Sequence, residues 1–212
     1  MNERCAPRDW GVYLITDRRA TGGRPLAAVV GAALRGGIRA VQLRERDLPA
    51  RELLALAVEL RALTQAAGAR LLVSDRVDVA LASGADGVHL PGDSFSVAEA
   101  RALLGPGKLI GVSTHHPTEV ATAAAAGADF AVFGPVFATP SKEPYGPPQG
   151  VAALARARAA ASLPLFGVGG IDAARVGAVR RAGADGVAVI RAVLDAGDAT
   201  AAAAELLEAS HR

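Results

Sequence analysis

The sequence predicts an α/β fold, a single (β/α)8 or TIM barrel that spans residues 1–212. Two observations carry this prediction, and the first is a repeat. A glycine, a short polar turn and an apolar run recur together at 36–41, 83–88, 126–131 and 182–187. Glycine readily takes the left-handed conformation that ends a helix, and the apolar run is typical of a buried strand. Repetition at intervals of about one β-α unit indicates strands that alternate with helices.

The second observation is the number of strand segments. Eight apolar or β-branched segments stand at 12–16, 40–44, 70–74, 87–90, 109–113, 130–133, 165–168 and 186–190. Stretches with helical spacing lie between them, as at 49–67, and Pro25, Pro49 and Pro117 stand where helices would begin. Eight such units close most economically as a barrel. A doubly wound open sheet is the alternative, but its usual glycine-rich turn after the first strand is replaced by TDRR at 16–19.

The composition agrees with one domain. Hydrophobic residues make up 51% of the chain and aromatic residues only 4%, so we expect a core of Ala, Val, Leu and Ile. Parallel strands under Ala-rich helices have this composition. No linker or change in composition indicates a second domain, and only residues 1–10 are expected to form a mobile N-terminal segment.

Charge and cysteine content limit the partners and the compartment. A formal net charge of +2 with mixed signs gives no basic stripe, so we do not expect nucleic acid as a partner. The single cysteine, Cys5, excludes a disulfide within the chain and favours a reducing compartment. Since no run is apolar enough to span a bilayer and the N-terminus lacks a signal-peptide core, we expect a cytoplasmic protein without membrane contact. Barrels of this size often form homodimers, but the sequence indicates no interface.

The strand ends predict where the chemistry takes place. In a TIM barrel the residues at and just after the C-terminal end of each strand face one mouth. These positions are Thr16, Asp17, Gln42, Arg44, Arg46, Ser74, Asp75, His89, Ser113, His115, His116, the loop 134–150, the segment 167–171 and Arg191. Groups that bind anions are common among them. The sequence therefore predicts that this mouth binds a phosphorylated ligand.

Two segments sharpen that prediction. Gln42, Arg44 and Arg46 alternate along one strand, so all three side chains can point the same way at its end. An outward row of salt bridges is the alternative, and it is weaker because both faces of a parallel barrel strand are covered. The glycines of GVGGID at 167–172 lead into a helix, whose first amides bind phosphate, and IRA at 190–192 follows the eighth strand nearby.

The longest loop, 134–150, is rich in proline and carries Thr139, Ser141 and Lys142. Two hydroxyls and a cation in a short span suit phosphate oxygens. Long ordered loops on the active face of a barrel are usually lids or substrate clamps. Taken alone, the loop is equally well explained as a proline-rich surface excursion.

Seven motifs together identify a family resemblance. They are YLITD at 13–17, VQLRE at 41–45, SDRVDVA at 74–80, GADGVHL at 84–90, GVS at 111–113, GPVF at 134–137 with TPSK at 139–142, and GVGGI at 167–171. In order and spacing the chain resembles the superfamily of thiamine-phosphate synthases and TenI-like thiazole tautomerases over nearly its whole length. The synthases join 4-amino-5-hydroxymethyl-2-methylpyrimidine diphosphate to thiazole phosphate and release pyrophosphate.

The resemblance implies roles for the pyrimidine diphosphate. Gln42 would hydrogen-bond the pyrimidine, Ser113 would contact the diphosphate or the pyrimidine, and Ser74 would belong to the same substrate site. Arg44, Arg46 and Lys142 would hold the diphosphate together with Thr139 and Ser141. Arg44, Ser113 and Lys142 would be the catalytic groups, because a dissociative displacement needs its leaving group positioned and neutralised.

The resemblance also implies a Mg2+ site and a second phosphate site. Asp75 would bind Mg2+, which prefers carboxylate and phosphate oxygens. Asp93 is the second acidic candidate, although the position aligned with the second ligand of the synthases is Ser94. The amides of Gly169 and Gly170, with Ile190 and Arg191, would bind the thiazole phosphate.

Departures from the synthase pattern keep other functions open. Arg46 stands where synthases usually have Lys, Ser74 where they have Asn, and Arg191 where they have Ser. The LPxxSFS run at 90–96 resembles the tautomerase branch, which uses no metal, and His115 or His116 would then have to transfer the proton. Pro135 follows the synthase pattern, and the two histidines are also explained as exposed residues at a helix start. A non-catalytic regulator that binds phosphate ligands is the third alternative.

Overall fold

The chain forms a closed barrel of eight parallel strands in sequence order, as a computed structural model that describes residues 6–139 and 147–211 shows. The strands are β1 (Val12–Ile15), β2 (Ala40–Leu43), β3 (Arg70–Ser74), β4 (Gly87–Leu90), β5 (Leu109–Thr114), β6 (Phe130–Phe133), β7 (Leu165–Val168) and β8 (Gly186–Val189). All eight predicted strands are confirmed, with ends that differ by one residue at most. β8 pairs with β1, which closes the barrel and excludes the open sheet.

Helices surround the barrel. They are α1 (Leu26–Arg35), α2 (Ala50–Ala66), α3 (Val77–Ser83), α4 (Val97–Leu104), α5 (Pro117–Ala125), α6 (Gly150–Ala160), α7 (Ala173–Arg181), α8 (Arg191–Leu194) and α9 (Ala199–His211). Pro25 and Pro49 directly precede α1 and α2, and Pro117 begins α5, because proline lacks the amide proton that a first helical turn leaves unpaired. Within the described ranges no helix is both long and apolar enough to cross a membrane.

The core has two layers of different composition. Between the sheet and the helices the buried side chains are mainly Ala, Val, Leu and Ile, as predicted. Inside the barrel, by contrast, the aromatic side chains of Trp10, Tyr13, Phe130 and Phe166 pack together, with ring centroids 5.1 to 6.1 Å apart. Four of the eight aromatic residues of the sequence therefore fill the barrel interior, where large side chains are needed.

The N-terminal prediction needs a correction. Residues 7–9 form a short 3-10 helix and Trp10 is fully buried in the barrel interior. The part of the predicted mobile segment from residue 7 to residue 10 is thus integral to the fold. Burial of an indole of this size explains the difference, since it removes a large apolar area from water. Residues 1–5, which include Cys5, lie outside the described residues.

The sequence repeat builds the end of the barrel opposite the mouth. In three copies an aspartate reaches back to the first part of the preceding strand, where its Oδ2 accepts from a backbone amide: Asp86 from Leu71, Asp129 from Ile110 and Asp185 from Leu165, at 2.7 to 2.9 Å. Each carboxylate also pairs with at least one arginine. The glycine of each copy has a positive φ, at Gly37, Gly84, Gly127 and Gly183, which agrees with the predicted helix stops. Each aspartate therefore ties one β-α unit to the next.

Candidate active site

A ring of polar side chains lines the inside of the barrel at its mouth. The ring consists of Gln42, Ser74, His89 and Ser113 on β2 to β5. Gln42 is in register with Ile15 and Leu72, which face the interior, so Gln42 faces the interior too. Ser74 is in register with His89, and the His89 Nε2 lies 3.0 Å from the Ser113 Oγ. The ring lies above the aromatic layer and forms the floor of the mouth.

Two atoms of this ring have no protein partner at hydrogen-bond distance among the described residues, although the Gln42 side chain lies near enough to the Tyr13 hydroxyl to oppose the rise that burial causes in the pKa of Tyr13. The Gln42 Nε2 and the His89 Nδ1 are buried, and neither forms a hydrogen bond within the part of the chain that the structure describes. A buried polar atom without a partner is costly, and such atoms usually have an explanation such as a bound water or ligand. The floor of the mouth thus offers hydrogen-bonding groups that suit a flat, polar heterocycle.

His89 is held in its neutral form. Burial, assisted by the positive charge of Arg44, lowers the pKa of His89 from 6.5 to about 3. The imidazole therefore carries no charge at neutral pH. It can orient Ser113 and accept or donate one hydrogen bond, but it does not supply a positive charge to a ligand.

This neutral histidine predicts a loss of stability in acid. The unfolded chain takes up a proton at His89 near pH 6.5 and the folded chain only near pH 3, so between these values the unfolded state binds more protons. As the pH is lowered through this range, stability therefore falls by up to roughly 1.4 kcal/mol per pH unit for this one group. We expect His89→Gln to lose about 2 kcal/mol less than the parent protein between pH 6 and pH 4.5 in urea titrations. Parallel losses in both proteins would contradict the assignment.

The cations of the mouth stand on the segment that follows β2. Arg44 is half-buried and Arg46 is exposed. Burial, and next to it the charge of Arg46, lowers the pKa of the Arg44 guanidinium, while Asp17 and Glu45 act in the opposite direction. Within the described ranges the Arg44 guanidinium has no acidic group bound to it. Two neighbouring cations to which no acid of residues 6–139 or 147–211 is bound favour the binding of an anion.

Asp75, the predicted metal ligand, follows β3 in an unusual conformation. Its φ is 66°, and among the described residues no other non-glycine residue has a positive φ. The Asp75 amide donates to the His89 carbonyl at 3.0 Å, and the Ser94 hydroxyl donates to the Asp75 Oδ1. The contact partner of the carboxylate is thus Ser94, while Asp93 lines the same cavity of about 240 Å3 as Asp75, Ser74 and Arg46. Left-handed backbone at a non-glycine residue costs about 1 kcal/mol or more and often occurs at functional sites.

The donors around Asp75 fit a magnesium site of limited strength. No group of three or more His, Cys, Asp or Glu side chains that could hold a metal occurs in residues 6–139 and 147–211. Mg2+, however, is usually bound by one or two carboxylates together with substrate phosphates and water. The exposed Asp75 carboxylate and the Ser94 hydroxyl, with Arg46 and Arg76 lining the cavity of Asp75, meet that minimum when a diphosphate is present.

The glycine segment after β7 packs against the loop after β6. Gly169 and Gly170 have φ values of 100° and 61°. A side chain on Gly169 would come within 2.7 Å of the Pro135 Cβ, and one on Gly170 within 2.4 Å of the Ala138 carbonyl oxygen. Both positions therefore need glycine for packing whether or not their amides bind phosphate. Ile190 is half-buried and the exposed Arg191 begins α8.

The remaining predicted residues fall into two groups. Thr139 is half-buried at the end of the first described range, whereas Ser141 and Lys142 lie outside the described residues. His115 and His116 are exposed at the start of α5, and the His115 Nδ1 lies 2.5 Å from the Gly134 carbonyl oxygen. This position agrees with the simple explanation of the two histidines as residues of a helix start.

Sequence reasoning missed the role of Glu45. It lies in one of the quoted motifs between Arg44 and Arg46, yet its side chain is buried and hydrogen-bonded to the loop after β1. The available sequence signal for this role was an acidic residue between two arginines at the end of a buried strand. Its partners stand 27 and 29 positions earlier, too far along the chain for a local pattern to indicate.

Fold and mouth together define a class of protein: a TIM barrel with a cationic mouth and a polar floor. Comparison with known proteins identifies the family. The family described as thiamine monophosphate synthase matches residues 12–193, and the chain belongs to this thiamine monophosphate synthase and TenI family. The family resemblance predicted from the motifs is thereby confirmed.

Individual relatives agree with that membership. The chain is 49% identical over 197 residues to a thiamine-phosphate synthase of Methanoculleus marisnigri, with 93% of each chain covered. It is 46% identical over 199 residues to that of Moorella thermoacetica, covering 94% of this chain and 95% of the relative. Among solved structures, a thiamine phosphate pyrophosphorylase from Pyrococcus furiosus is 35% identical, with 97% of each chain covered and a TM-score of 0.88.

Proposed function

We propose that the chain is a thiamine-phosphate synthase, a transferase of thiamine biosynthesis that joins the pyrimidine diphosphate to thiazole phosphate and releases pyrophosphate. Family membership and relatives that carry this activity in their names support the reaction. The observation that carries it in the structure is the combination of two cations, to which no acid among the described residues is bound, with a buried polar floor. A diphosphate ester of an aminopyrimidine has a polar ring that matches the floor and a charged diphosphate that matches the two cations.

The proposed chemistry places little covalent demand on the protein. The bond between the pyrimidine methylene carbon and the diphosphate oxygen breaks, and the electron pair leaves with pyrophosphate. The thiazole nitrogen then donates its electron pair to that carbon. The enzyme must bind the departing charge and align the two rings, which are the two contributions that preorganised sites supply best.

Each part of the mouth has a role in this proposal. Gln42 hydrogen-bonds the pyrimidine through its unpartnered amide nitrogen, and neutral His89 adds a second polar contact without repelling the developing cation. Arg44 and Arg46 bind the diphosphate, and Ser113, oriented by His89, contacts the reacting end. Ser74 lies in the ring beside them. Thr139, Ser141 and Lys142 complete the diphosphate site from the loop after β6, as the resemblance implies.

Mg2+ is the cofactor of the proposal. Asp75 would hold it with the Ser94 hydroxyl beside it, and Asp93 in the same cavity is the second acidic candidate. When bound, Mg2+ neutralises charge on the diphosphate oxygens. The amides of Gly169 and Gly170, with Ile190 and Arg191, form the proposed site of the thiazole phosphate. A cytoplasmic location and a homodimer stay predictions, as does the absence of nucleic acid and membrane from its partners.

The test of this function is a reconstituted reaction. Purified protein would be mixed with both substrates, with and without Mg2+, while pyrophosphate release and thiamine phosphate are followed. We expect stoichiometric formation of both products that depends on Mg2+. If no pyrophosphate appears while the thiazole carboxylate phosphate is tautomerised, the TenI-like isomerase activity replaces the proposal. Binding of phosphate ligands without any turnover would instead indicate the regulator.

Replacing Asp75 by alanine tests whether the diphosphate and the thiazole phosphate bind at separate parts of the mouth. We expect Asp75→Ala to weaken the binding of inorganic pyrophosphate in the presence of Mg2+ roughly tenfold or more, because the carboxylate that holds the ion is lost. Binding of thiazole phosphate should change less than about twofold, since its proposed site lies after β7 and β8. Titration calorimetry measures both constants. The matched control is Asp78→Ala, which removes an exposed acid paired with Arg76, and equal losses for both ligands in Asp75→Ala would contradict the division.

A further inference from the structure

The Glu45 carboxylate is buried at the rim of the barrel, although charged groups dominate its surroundings. The residue is 4% exposed. Its Oε1 accepts from the Thr16 hydroxyl at 2.7 Å, and both its oxygens accept from the Arg18 amide at 3.1 Å. The Arg18 guanidinium donates to Oε2 at 3.1 Å. A buried carboxylate with this many donors is held in one orientation.

Thr16 connects Glu45 to the backbone of Arg44. The Thr16 hydroxyl donates to Glu45 and at the same time accepts from the Arg44 amide at 2.9 Å. The Thr16 amide in turn donates to the Gln42 carbonyl at 2.9 Å. Thr16 is fully buried, so water does not compete for these bonds. The main chain on both sides of Leu43 is therefore fixed to the loop after β1.

Asp47 binds the Arg18 side chain from the solvent side. The Arg18 guanidinium donates to both oxygens of Asp47 at 2.6 Å, and Arg19 donates to it at 2.7 Å. These bonds raise the pKa of Arg18 above its ordinary value and hold the pKa of Asp47 well below its usual range. We call Thr16, Arg18, Glu45 and Asp47 the interloop clamp.

The clamp also supplies the hydrogen-bond partners of the Glu45 carboxylate. Glu45 lies between Arg44 and Arg46 in sequence, and its negative charge acts on the Arg44 guanidinium. In the structure the hydrogen bonds of the Glu45 carboxylate go to Arg18 and Thr16. Arg44 thus remains without an acid bound to its guanidinium in the described part of the chain.

From this geometry we propose that Glu45 is a positioning residue, which acts through Thr16 and Arg18 to hold Arg44 and Arg46 at the mouth and to keep them available for an anionic ligand. The proposal rests on the function above insofar as that ligand is a diphosphate. Glu45 lines the same cavity as Asp75 and Arg46, but its carboxylate oxygens are bound by Thr16 and Arg18 and are given no contact with the ligand. Its contribution is the placement of the Arg44 backbone through Thr16, while its own hydrogen bonds go to Thr16 and Arg18 and not to the Arg44 guanidinium.

Two substitutions in the clamp test the proposal. Thr16→Val keeps the shape of the side chain but breaks the bonds to Glu45 and Arg44, and Glu45→Gln keeps the shape but weakens the pairing with Arg18. We expect both to weaken the binding of inorganic pyrophosphate with Mg2+ by roughly tenfold, equivalent to about one lost hydrogen bond of the charged type. The KM for the pyrimidine diphosphate should rise similarly, while the KM for thiazole phosphate stays within about twofold.

The controls separate positioning from general loss of stability. Thr16→Ser retains the hydroxyl and should restore the parent affinity. Asp185→Asn weakens a comparable network at the opposite end of the barrel, where the carboxylate accepts from the Leu165 amide and pairs with Arg158. It should lower the Tm without changing the pyrophosphate affinity. In hydrogen exchange, the Arg44 amide should exchange about tenfold faster in Thr16→Val.

The outcomes distinguish this proposal from the proposed function. If both clamp variants fold and bind pyrophosphate as tightly as the parent protein does, the positioning role is overturned. If the parent protein binds pyrophosphate but makes no thiamine phosphate, weaker binding in the variants still supports the clamp while the function fails. If the parent protein binds no pyrophosphate, the hydrogen-exchange rate of the Arg44 amide is the deciding measurement. An unchanged rate in Thr16→Val then overturns the proposal.

Discussion

Replacing Arg44 by methionine is expected to lower kcat/KM for the pyrimidine diphosphate by roughly 10²- to 10³-fold, the usual effect of removing one preorganised group that stabilises developing charge. The guanidinium is half-buried next to Arg46, and both burial and that charge lower its pKa. This unfavourable arrangement is relieved when a dianion binds. The relief grows as charge accumulates on the departing diphosphate, so we expect kcat to fall more than the affinity for substrate.

The stability of the Arg44 variant gives an independent check. Methionine keeps an unbranched apolar stem and removes a partly buried charge that repels Arg46. We therefore expect the Tm of Arg44→Met to equal or exceed that of the parent protein. Arg44→Lys retains the charge without the planar fork and should show an intermediate kcat/KM. Arg51→Met, at an exposed position of α2, is the matched control and should leave kcat/KM unchanged. A kcat/KM within threefold of the parent in Arg44→Met would remove Arg44 from the catalytic groups.

The strand order could be predicted from the sequence because its determinants are local. A left-handed glycine ends each helix of the repeat, and an apolar segment of four to six residues follows at a regular interval. The burial of Trp10 could not be predicted in this way. It stands in a short polar segment before β1, and only the three-dimensional space inside the barrel, between Tyr13, Phe130 and Phe166, explains it.

The site could be predicted in part for the same reason. Residues at strand ends share one mouth in any TIM barrel, so strand positions alone predicted the polar ring of Gln42, Ser74, His89 and Ser113. The interloop clamp depends on contacts between loops that lie 27 to 29 residues apart. The contact of Ser94 with Asp75 likewise joins segments 19 residues apart. Side-chain pairs of this kind follow from the folded geometry and not from a local pattern.

The two ends of the barrel divide stability from function. At the mouth, Arg44, Gln42 and His89 carry charge or polar atoms that have no hydrogen-bond partner in the described part of the chain, which lowers stability and leaves groups for a ligand. At the opposite end, Asp86 and Asp185 are saturated with amides and arginines. Substitutions at that end should therefore change the free energy of unfolding with little effect on catalysis.

Asp86→Ala is expected to have the largest effect on stability, a loss of about 3 to 5 kcal/mol in the free energy of unfolding. The side chain is only 5% exposed, accepts from the Leu71 amide and pairs with both Arg61 and Arg70. Its removal leaves two guanidinium groups and one strand amide without their acceptor. For a chain of this length such a loss lowers the Tm by roughly 10 °C or more.

A graded series tests the cause of that loss. Asp129 makes the same amide bond but is 34% exposed and pairs with Arg101 alone. Asp129→Ala should therefore cost only about 1 kcal/mol, because water replaces the lost partner. Adding Arg61→Met to Asp86→Ala should recover part of the stability, since one uncompensated charge is removed with it. Equal losses in Asp86→Ala and Asp129→Ala, measured by urea unfolding, would show that the amide bond alone matters and that the buried ion pairs contribute nothing.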